Sequence, residues 1–555
     1  MLTRLRGGRV FDPANGVEGA VRDVVIRDDR IVDVPLEEPA DCEIDVSGCV
    51  LMAGAIDLHT HIGGGKMNLA RLLLPEDHRR REYERGALTR ACCGHAAPST
   101  LAAGYRYAEM GYTACFEPAM LPINARQTHL ELGDTPIVDK GCYALLGNDD
   151  FLLRMLAGGA PQRSVNDYVG WILDCTHAIA IKVVNPGGIS AFKFNQRKLD
   201  VDEEHPHYRV TPRRVLQALS RAVHDLGVPH GLHVHACNLG VPGNVDTTLA
   251  TIAAAEGLPI HLTHVQFHSY GAEGDRKFSS AAARVAEAIN GNPNVSADVG
   301  QIMFGQTVTA SGDSMAQHRN AALASPRKSV VMDIECDAGC GVVPFRYRDS
   351  SFVNALQWAI GLEIFLSVRD PWRIFVTTDH PNGAPFTSYP HLIRLLMDRA
   401  FRNERLQSIN ADARKLSTLG SLEREYSLYE IAIMTRAAPA RTLGLHDRGH
   451  LGAGAAADVV VYRDLADRER MFERPEYVFK DGELVARDGR IVKVTVGNLH
   501  AVKPDYDRAI EGPLAEHFER FETTRFDGFR IGADEVCECG NGSRLIVHAC
   551  RAGAR

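Results

Sequence analysis

The chain has 555 residues, of which 45% are hydrophobic and 24% are charged, and its formal net charge is −8. This length exceeds the size at which a single hydrophobic core stops growing, so we expect one large catalytic domain with at least one smaller unit. No stretch approaches the roughly 20 apolar residues that span a bilayer, which argues against a membrane protein, and the negative charge gives no support to nucleic-acid binding.

The first residues and the cysteines bear on the compartment. MLTRLRGGRVFDPANG contains basic side chains but no apolar run behind them, so it does not resemble a secretory signal. We expect a cytoplasmic protein whose thirteen cysteines are reduced and mostly buried as small hydrophobic residues. Cys537 and Cys539 could form half of a zinc site, but His548 and Cys550 are the only nearby partners in the sequence. The spacing of these four residues matches no standard zinc pattern.

Short β-type segments mark the two ends of the chain, and a longer α/β pattern lies between them. From about 51 to 440, apolar strand-like runs alternate with helical patterns, which favours a (β/α)8 TIM-like barrel over an open sheet. We expect residues 1–50 and 441–500 to pair in one small β-sandwich. Residues 501–555 are more polar and irregular, and we interpret them as a C-terminal extension that contacts another protein chain of a complex.

The first candidate for metal binding is the segment IDLHTH, which follows the apolar run VLMAGA. Residues i and i+2 of a strand project to the same face, so His59 and His61 can converge on one metal at a barrel mouth. On this motif alone, two incidental histidines on a strand remain the alternative.

Lys182 is the second candidate, in the apolar run AIAIKVVNPGG. A free ammonium is costly to bury there unless it is paired or neutralised. Carboxylation of the amine by carbon dioxide would give a carbamate able to bridge two divalent metals. A salt-bridged lysine at a strand end fits this segment equally well.

Further histidines and an aspartate follow later apolar runs. These residues are His233 and His235 in HGLHVHACNLG, His264 with His261 and His268 in PIHLTHVQFHSYG, and Asp379 in RIFVTTDHPNG. Each alone is more often structural, but the ends of successive strands are where TIM barrels place catalysis. Their joint occurrence in this order therefore indicates an active site.

These motifs together resemble a known group of enzymes. The order His-x-His, Lys, His, His, Asp resembles the amidohydrolase superfamily of hydantoinases, dihydroorotases and ureases. The runs DLHTHIGGGKMNLARLLLPEDHR, IKVVNPGG, HVHACNLGVPGN, HLTHVQFHSYG and TTDHPNGAPF more closely resemble the family of the A-type subunits of formylmethanofuran dehydrogenase and their counterparts in the bacterial formyltransferase/hydrolase complex. This likeness covers residues 1 to about 500.

The resemblance implies two divalent metals, with zinc as the expected ion, and a carboxylated lysine that bridges them. The implied ligand set is His59 and His61 for one metal, Lys182 as the bridge, and His235 and His264 for the second, with Asp379 contacting metal and carrying protons. We prefer His235 to His233 because it directly precedes the Ala-Cys-Asn turn, where the superfamily places its ligand.

The resemblance also implies the reaction and the partners. The reaction is hydrolysis, or reverse condensation, of the formamide of N-formylmethanofuran or a bacterial analogue, giving formate and the free amine in one-carbon metabolism. Lys66, Arg71 and Arg79–Arg81 could pair with the anionic tail of such a carrier, although a solvated helix face is the alternative. Asn238 and His268 are candidates for orienting the formyl group. The implied partners are the other subunits of a formyltransferase/hydrolase or formylmethanofuran dehydrogenase complex.

Two other functions stay open. A stand-alone cyclic amidase of the hydantoinase or dihydropyrimidinase kind would share every metal ligand, although GGGKMNLAR and the long insertion after His61 argue against it. A catalytically inactive scaffold subunit is the second alternative. Against it stands the presence of all six ligand types, because a degenerate site is expected to lose ligands.

Overall fold

The computed structural model describes residues 1–35, 38–79, 82–187, 199–311, 332–334, 340–537 and 543–551. The strands are β1 (Leu2–Asp12), β2 (Val17–Arg27), β3 (Arg30–Ile31), β4 (Cys42–Asp45), β5 (Cys49–Ala53), β6 (Ala55–Asp57), β7 (Tyr112–Met120), β8 (Asp139–Leu146), β9 (Ala180–Val184), β10 (Leu232–His235), β11 (Ile260–Leu262), β12 (Tyr270–Gly271), β13 (Ser279–Ser280), β14 (Val295–Asp298), β15 (Gly305–Ser311), β16 (Met332–Ile334), β17 (Cys340–Tyr347), β18 (Ile374–Phe375), β19 (Val459–Arg463), β20 (Tyr477–Lys480), β21 (Glu483–Arg487), β22 (Arg490–Ile491), β23 (Leu499–Val502) and β24 (Leu545–His548). The α-helices are Gly65–Leu73, Thr100–Glu109, Ala125–Gly133, Asp150–Ala157, Gln162–Thr176, Pro212–Asp225, Val245–Ala254, Ala282–Gly291, Phe352–Ser367, Tyr389–Met397, Arg399–Ser408, Ala411–Leu416, Leu428–Ala432, Ala438–Leu443, Arg468–Glu473, Glu511–Phe521 and Ala533–Val536.

Eight parallel strands form the body of the fold. Strands β6, β7, β8, β9, β10, β11, β14 and β18 pair in this order, and every pair is parallel. A parallel bridge between Thr60 and His380 joins the segments that follow β6 and β18, so the first strand meets the last. Strands and helices alternate along this part of the chain, and the predicted TIM-like barrel is confirmed.

A second, nine-stranded sheet combines both ends of the chain. Its order is β22, β21, β20, β19, β5, β1, β2 and β3, with β4 beside β1. The two ends join where β5 runs antiparallel to β19, with Leu51 opposite Val461. Both of these side chains are buried in a small separate core with Leu5 and Phe479. Strands from both ends therefore share one β unit, whereas the division at residues 50, 440 and 500 stays a prediction.

The segment after residue 498 packs onto the barrel. Strand β23 lies parallel to the first residues of β8, and β24 lies parallel to β23. A buried ionic network fixes this junction: Asp139 lies 2.9 Å from Arg448, 3.2 Å from Lys480 and 3.2 Å from His500. This network ties the barrel to the sheet and to β23. Contact of residues 501–555 with another protein chain stays a prediction.

A small antiparallel sheet is inserted in the sequence between β14 and the helix Phe352–Ser367. In it β17 pairs with both β15 and β16. Thr307 donates to the carbonyl of Pro381, and the Tyr347 hydroxyl donates to the carbonyl of Asn382 at 3.1 Å. The sheet is thus fastened to the loop that follows Asp379.

No helix within the described ranges is long and apolar enough to cross a bilayer. The cytoplasmic location stays a prediction. Cys539, one half of the cysteine pair considered for zinc, lies outside the described residues.

Candidate metal centre

The six predicted ligands lie at the carboxyl-terminal mouth of the barrel. His59 and His61 follow β6, Lys182 lies within β9, His235 ends β10, His264 follows β11 and Asp379 follows β18. None of these residues is more than 6% exposed. Parallel strands bring their carboxyl ends to one rim, so residues distant in sequence converge here.

Short distances join the ligands of the first predicted metal. The Oδ1 atom of Asp379 lies 3.0 Å from Nε2 of His59 and 3.3 Å from Nε2 of His61. His59, His264 and Asp379 each offer one ligand atom, and these atoms lie within 4.8 Å of one another. His235, His264 and His268 form a second group of the same size. The two groups share His264, so they lie side by side at the barrel mouth.

The neighbours of His233 and His235 distinguish these two histidines. Nε2 of His233 lies 2.9 Å from Nδ1 of His59, and Nδ1 of His233 lies 2.9 Å from Nε2 of His230. His233 also falls in a group with His59 and Asp298, but both of its nitrogens already have imidazole partners. Nε2 of His235, by contrast, is buried and has no hydrogen-bond partner among the described residues. This geometry supports the choice of His235.

The donor set fits a divalent metal. In the part of the chain that the structure describes, no hydrogen bond satisfies Nε2 of His235, Nδ1 of His264 or either nitrogen of His268. Buried polar atoms are rarely left in this state, and a bound ion is one explanation. Burial holds the pKa of His235 and His264 well below the usual range and lowers that of His268 to about 3. Neutral imidazoles keep the lone pair that zinc requires.

Lys182 is buried without a counterion. It is 2% exposed, and its ammonium has no hydrogen bond or ion pair with a residue in the described ranges. Burial and the nearby charge of Lys66 lower the pKa of Lys182 to about 8. Lys66 itself reaches the site, since its Nζ lies 3.2 Å from Nε2 of His61.

The sequence analysis missed Glu117, a carboxylate that positions His61. Its Oε1 lies 2.7 Å from Nδ1 of His61, and its Oε2 accepts from the backbone amides of Ile62 at 2.8 Å and Gly63 at 3.3 Å. Burial alone would raise the pKa of Glu117, but His61 and these amides lower it below the usual range. An anionic partner on Nδ1 leaves Nε2 as the atom free to bind metal. A single Glu within the apolar strand YTACFEPAM was the available signal.

Asp298 at the end of β14 was also missed, and it serves the other side of the site. Its Oδ2 lies 3.1 Å from Nδ1 of His59 and 3.1 Å from Nε2 of His261. Its Oδ1 accepts from the backbone amide of His264 and from the hydroxyl of Thr377, both at 2.8 Å. One carboxylate on β14 thus connects segments at β6, β11 and β18. Its position at the end of the run NVSAD was the available signal.

The residues predicted to bind the substrate differ in whether they lie beside the predicted metal ligands. Lys66 and His268 lie beside the ligands, as described above. The Arg71 guanidinium instead donates to the carbonyls of Pro98 at 3.0 Å and Ile62 at 2.9 Å, so it fastens a loop. The Asn238 amide donates to Asp200, which precedes the helix Pro212–Asp225, and to Thr247 in the helix Val245–Ala254. Arg79 is exposed, and residues 80 and 81 lie outside the described residues.

A closed ring of parallel strands with imidazoles, a carboxylate and a buried lysine at its carboxyl-terminal mouth is the arrangement of metal-dependent hydrolases. Residues 43–486 match the amidohydrolase family. Over 539 residues the chain is 44% identical to the A component of the formyltransferase/hydrolase complex Fhc of Methylorubrum extorquens, covering 96% of each chain. Over 550 residues it is 38% identical to protein FwdA of Methanocaldococcus jannaschii, covering 95% of this chain and 96% of that one.

Solved structures agree with these relatives. A chain in the crystal structure of the formyltransferase/hydrolase complex FhcABCD from Methylorubrum extorquens, in complex with methylofuran, matches with a TM-score of 0.92 at 43% identity, covering 99% of this chain and 100% of that one. D-aminoacylase shares the fold, with a TM-score of 0.50 at 15% identity over 88% of this chain and 97% of that one. The chain belongs to the amidohydrolase family, as its motifs imply.

Proposed function

We propose that this protein hydrolyses the formamide of an N-formylated methanofuran-type carrier, as the hydrolytic component of a larger complex. The products are formate and the free amine, and the same site would catalyse the reverse condensation. The observation that carries the proposal is the near full-length likeness, at 43% identity, to a chain of the FhcABCD complex that was crystallised with methylofuran. Likeness to FwdA over 95% of the chain supports the same assignment.

The residues at the barrel mouth would hold two divalent metals, and zinc suits their nitrogen and oxygen donors. We assign His59 and His61 to one ion, His235 and His264 to the other, Lys182 as a carboxylated bridge and Asp379 as a further ligand. When bound, the ions supply Lewis-acid polarisation of the amide carbonyl and increase the acidity of water.

Carboxylation of Lys182 explains how this amine can lie in an apolar strand. The neutral amine adds to carbon dioxide, a bond forms between Nζ and carbon, and one proton leaves to solvent. The product is an anion, which suits a position beside cations far better than an ammonium does. The carboxylates of Asp298 and Asp379 both lie close enough to interact with the charge of Lys182, but neither is paired with it.

Asp379 is the group suited to carry the proton. Its Oδ1 lies between His59 and His61 and also accepts from Nδ2 of Asn382 at 3.0 Å, so the carboxylate is held in one orientation. In hydrolysis, water adds to the formyl carbon and its proton passes to Asp379. Asp379 then protonates the nitrogen as the C–N bond breaks, because an amine leaves poorly unless it is protonated. Lys66 would place a positive charge beside the bound formamide or the anionic tail of the carrier.

The test joins metal analysis of the purified chain to an assay of formate release from a formylated furan-methylamine carrier. We expect about two zinc ions per chain and release of formate, with no turnover of hydantoin or dihydrouracil. Robust turnover of either cyclic amide would refute the assignment. Absence of metal would favour an inactive scaffold role.

Changing Lys182→Ala should abolish formate release and lower the metal content, and added short carboxylic acids should restore part of both. Lys140→Met is the matched control, because Lys140 is equally buried but its Nζ donates to the Thr135 carbonyl at 2.9 Å, away from the metal ligands. Unchanged zinc content in Lys182→Ala would contradict the bridging role. Asp379→Asn should bind the carrier but lose most of the turnover.

A further inference from the structure

Two sets can be distinguished among the buried histidines of the barrel mouth. In the first set, His230, His233 and His59 are joined in a chain by nitrogen–nitrogen distances of 2.9 Å, and His261 lies 3.1 Å from Asp298. Each of these rings therefore has a hydrogen-bonding explanation for being buried.

The second set consists of His235, His264 and His268, and its members converge without bonding. The ring centroids are separated by 4.5 Å between His235 and His264, 5.1 Å between His235 and His268, and 5.4 Å between His264 and His268. One nitrogen from each ring lies within 4.8 Å of the other two. Across the described residues, neither nitrogen of His268 has a hydrogen-bond partner, although this residue is only 2% exposed.

The backbone around His268 is anchored by other groups. The hydroxyl of Thr248 donates to the carbonyl of His268 at 2.7 Å, and the amide of Tyr270 donates to Oδ1 of Asn244 at 3.0 Å. Thr248 lies in the helix Val245–Ala254 and Asn244 directly precedes it, so this helix holds the turn that carries His268. The imidazole is therefore not needed to hold the loop, and it is directed at two other unbonded imidazoles.

We propose that His268 is a third imidazole ligand of the metal held by His235 and His264. The inference rests on the proposed two-metal site and extends it by one residue. A bound cation can accept lone pairs from all three buried imidazoles at once, and imidazole suits zinc and other transition metals rather than magnesium or calcium. The second metal position would then offer its ion three nitrogens and the Lys182 bridge, and a catalytic zinc site can expand to a fifth position for water or substrate.

The test is cobalt(II) titration of the metal-depleted full-length chain, followed by visible absorption and by competition with a chromophoric chelator. We expect two ions per wild-type chain. His268→Ala should weaken binding of one ion by more than the roughly 10- to 100-fold that loss of an outer-shell partner costs, and it should alter the cobalt absorption bands. Added imidazole should restore both. His268→Gln, which keeps polarity and similar volume, should show the same altered bands and covers the case in which the alanine variant fails to fold.

His129→Gln is the control, because His129 is also buried but bonds the carbonyl of Thr176 away from the site. Wild-type affinity and bands in either folded His268 variant would overturn the inference and leave His268 as a substrate contact. Failure of the wild-type chain to bind two ions would instead overturn the proposed function, so the two failures are distinguishable.

Discussion

Replacing Glu117 by Gln should uncouple His61 from its metal while keeping the size of the side chain. The carboxylate accepts four hydrogen bonds: Oε1 from His61 and from the amide of Ala119 at 3.1 Å, and Oε2 from the amides of Ile62 and Gly63. Glutamine offers a single acceptor oxygen, so one pair of donors must face an NH2 group. Either orientation of the amide therefore leaves at least one backbone amide without its acceptor.

The two orientations have different costs. If the glutamine oxygen faces His61, the amides of Ile62 and Gly63 lose their acceptor, and two buried donors left unsatisfied cost about 2–6 kcal/mol. If the NH2 group faces His61, the amide of Ala119 loses its acceptor, which leaves one buried donor unsatisfied instead of two. In this orientation Nδ1 of His61 must become an acceptor and Nε2 must carry the proton. Nε2 then has no lone pair for a metal. Because the second orientation keeps the acceptor for Ile62 and Gly63, we expect the main effect on the metal, with affinity falling roughly 10- to 100-fold, or about 1.4–2.7 kcal/mol.

The assay is chelator competition for zinc together with kcat/KM for formate release. Glu131→Gln is the matched control, because Glu131 also accepts from a backbone amide of the same loop, Gly64, at 2.9 Å but contacts no histidine among the described residues. Both variants should remain folded, and only Glu117→Gln should lose metal and turnover. Equal effects from the two changes, or wild-type zinc affinity in Glu117→Gln, would refute the reasoning.

Two further changes test the burial of charge and the packing behind the site. Burial lowers the pKa of Lys140 to about 8, from 10.5 in the unfolded chain. Between pH 8 and pH 10.5 the folded protein therefore binds fewer protons than the unfolded chain. The free energy of unfolding of the wild type should rise with pH over this range. Lys140→Met should lack the contribution of Lys140 to this rise, a difference of up to about 3 kcal/mol in the free energy of unfolding. Denaturant unfolding of both proteins at pH 8 and pH 10 would measure the difference. Parallel pH profiles of the two proteins would contradict the prediction. Gly300 has φ +63°, and an added Cβ would lie 2.3 Å from Cβ of His264. Gly300→Ala should therefore lower zinc affinity by roughly tenfold or more, whereas Gly291→Ala, which meets open space, should not; equal zinc affinity in both would count against the packing argument.

The convergence of the predicted ligands at one rim could be anticipated from sequence because all of them except Lys182, which lies within β9, are at or after a strand end in a recognisable short motif. The i, i+2 spacing of His59 and His61 and the apolar run before Asp379 suggested these positions, but each motif alone left a structural role open, and the ligand set was implied by the family resemblance. A barrel then brings such positions to one rim whatever the loops between them contain. The same logic separates His235 from His233 only weakly, since both point to one face of β10, and the bonding of His233 to His59 and His230 had to be seen.

The residues that orient the ligands were not predictable in the same way. Glu117 meets His61 across 56 residues of sequence and Asp298 meets His59 across 239, and neither pair has a local signature. Arg71 shows a different limit, and its contact with a carrier stays a prediction. Its charge suggested a contact with an anionic carrier, but a guanidinium can equally satisfy carbonyl oxygens of a loop, and nothing in the sequence distinguishes the two uses.

The distribution of carboxylates makes the two proposed metal positions chemically different. Both histidines of the first position have an anionic partner on Nδ1, Glu117 for His61 and Asp298 for His59, and such partners raise the basicity of the ligand. His235 and His264 have no comparable side-chain partner in the described chain. Two neutral imidazoles without a carboxylate on their other ring nitrogen bind a cation less strongly, unless another donor also binds it. The shortage of carboxylates around the second position is therefore an independent physical reason to expect a third nitrogen there, and His268 is the buried group placed to supply it.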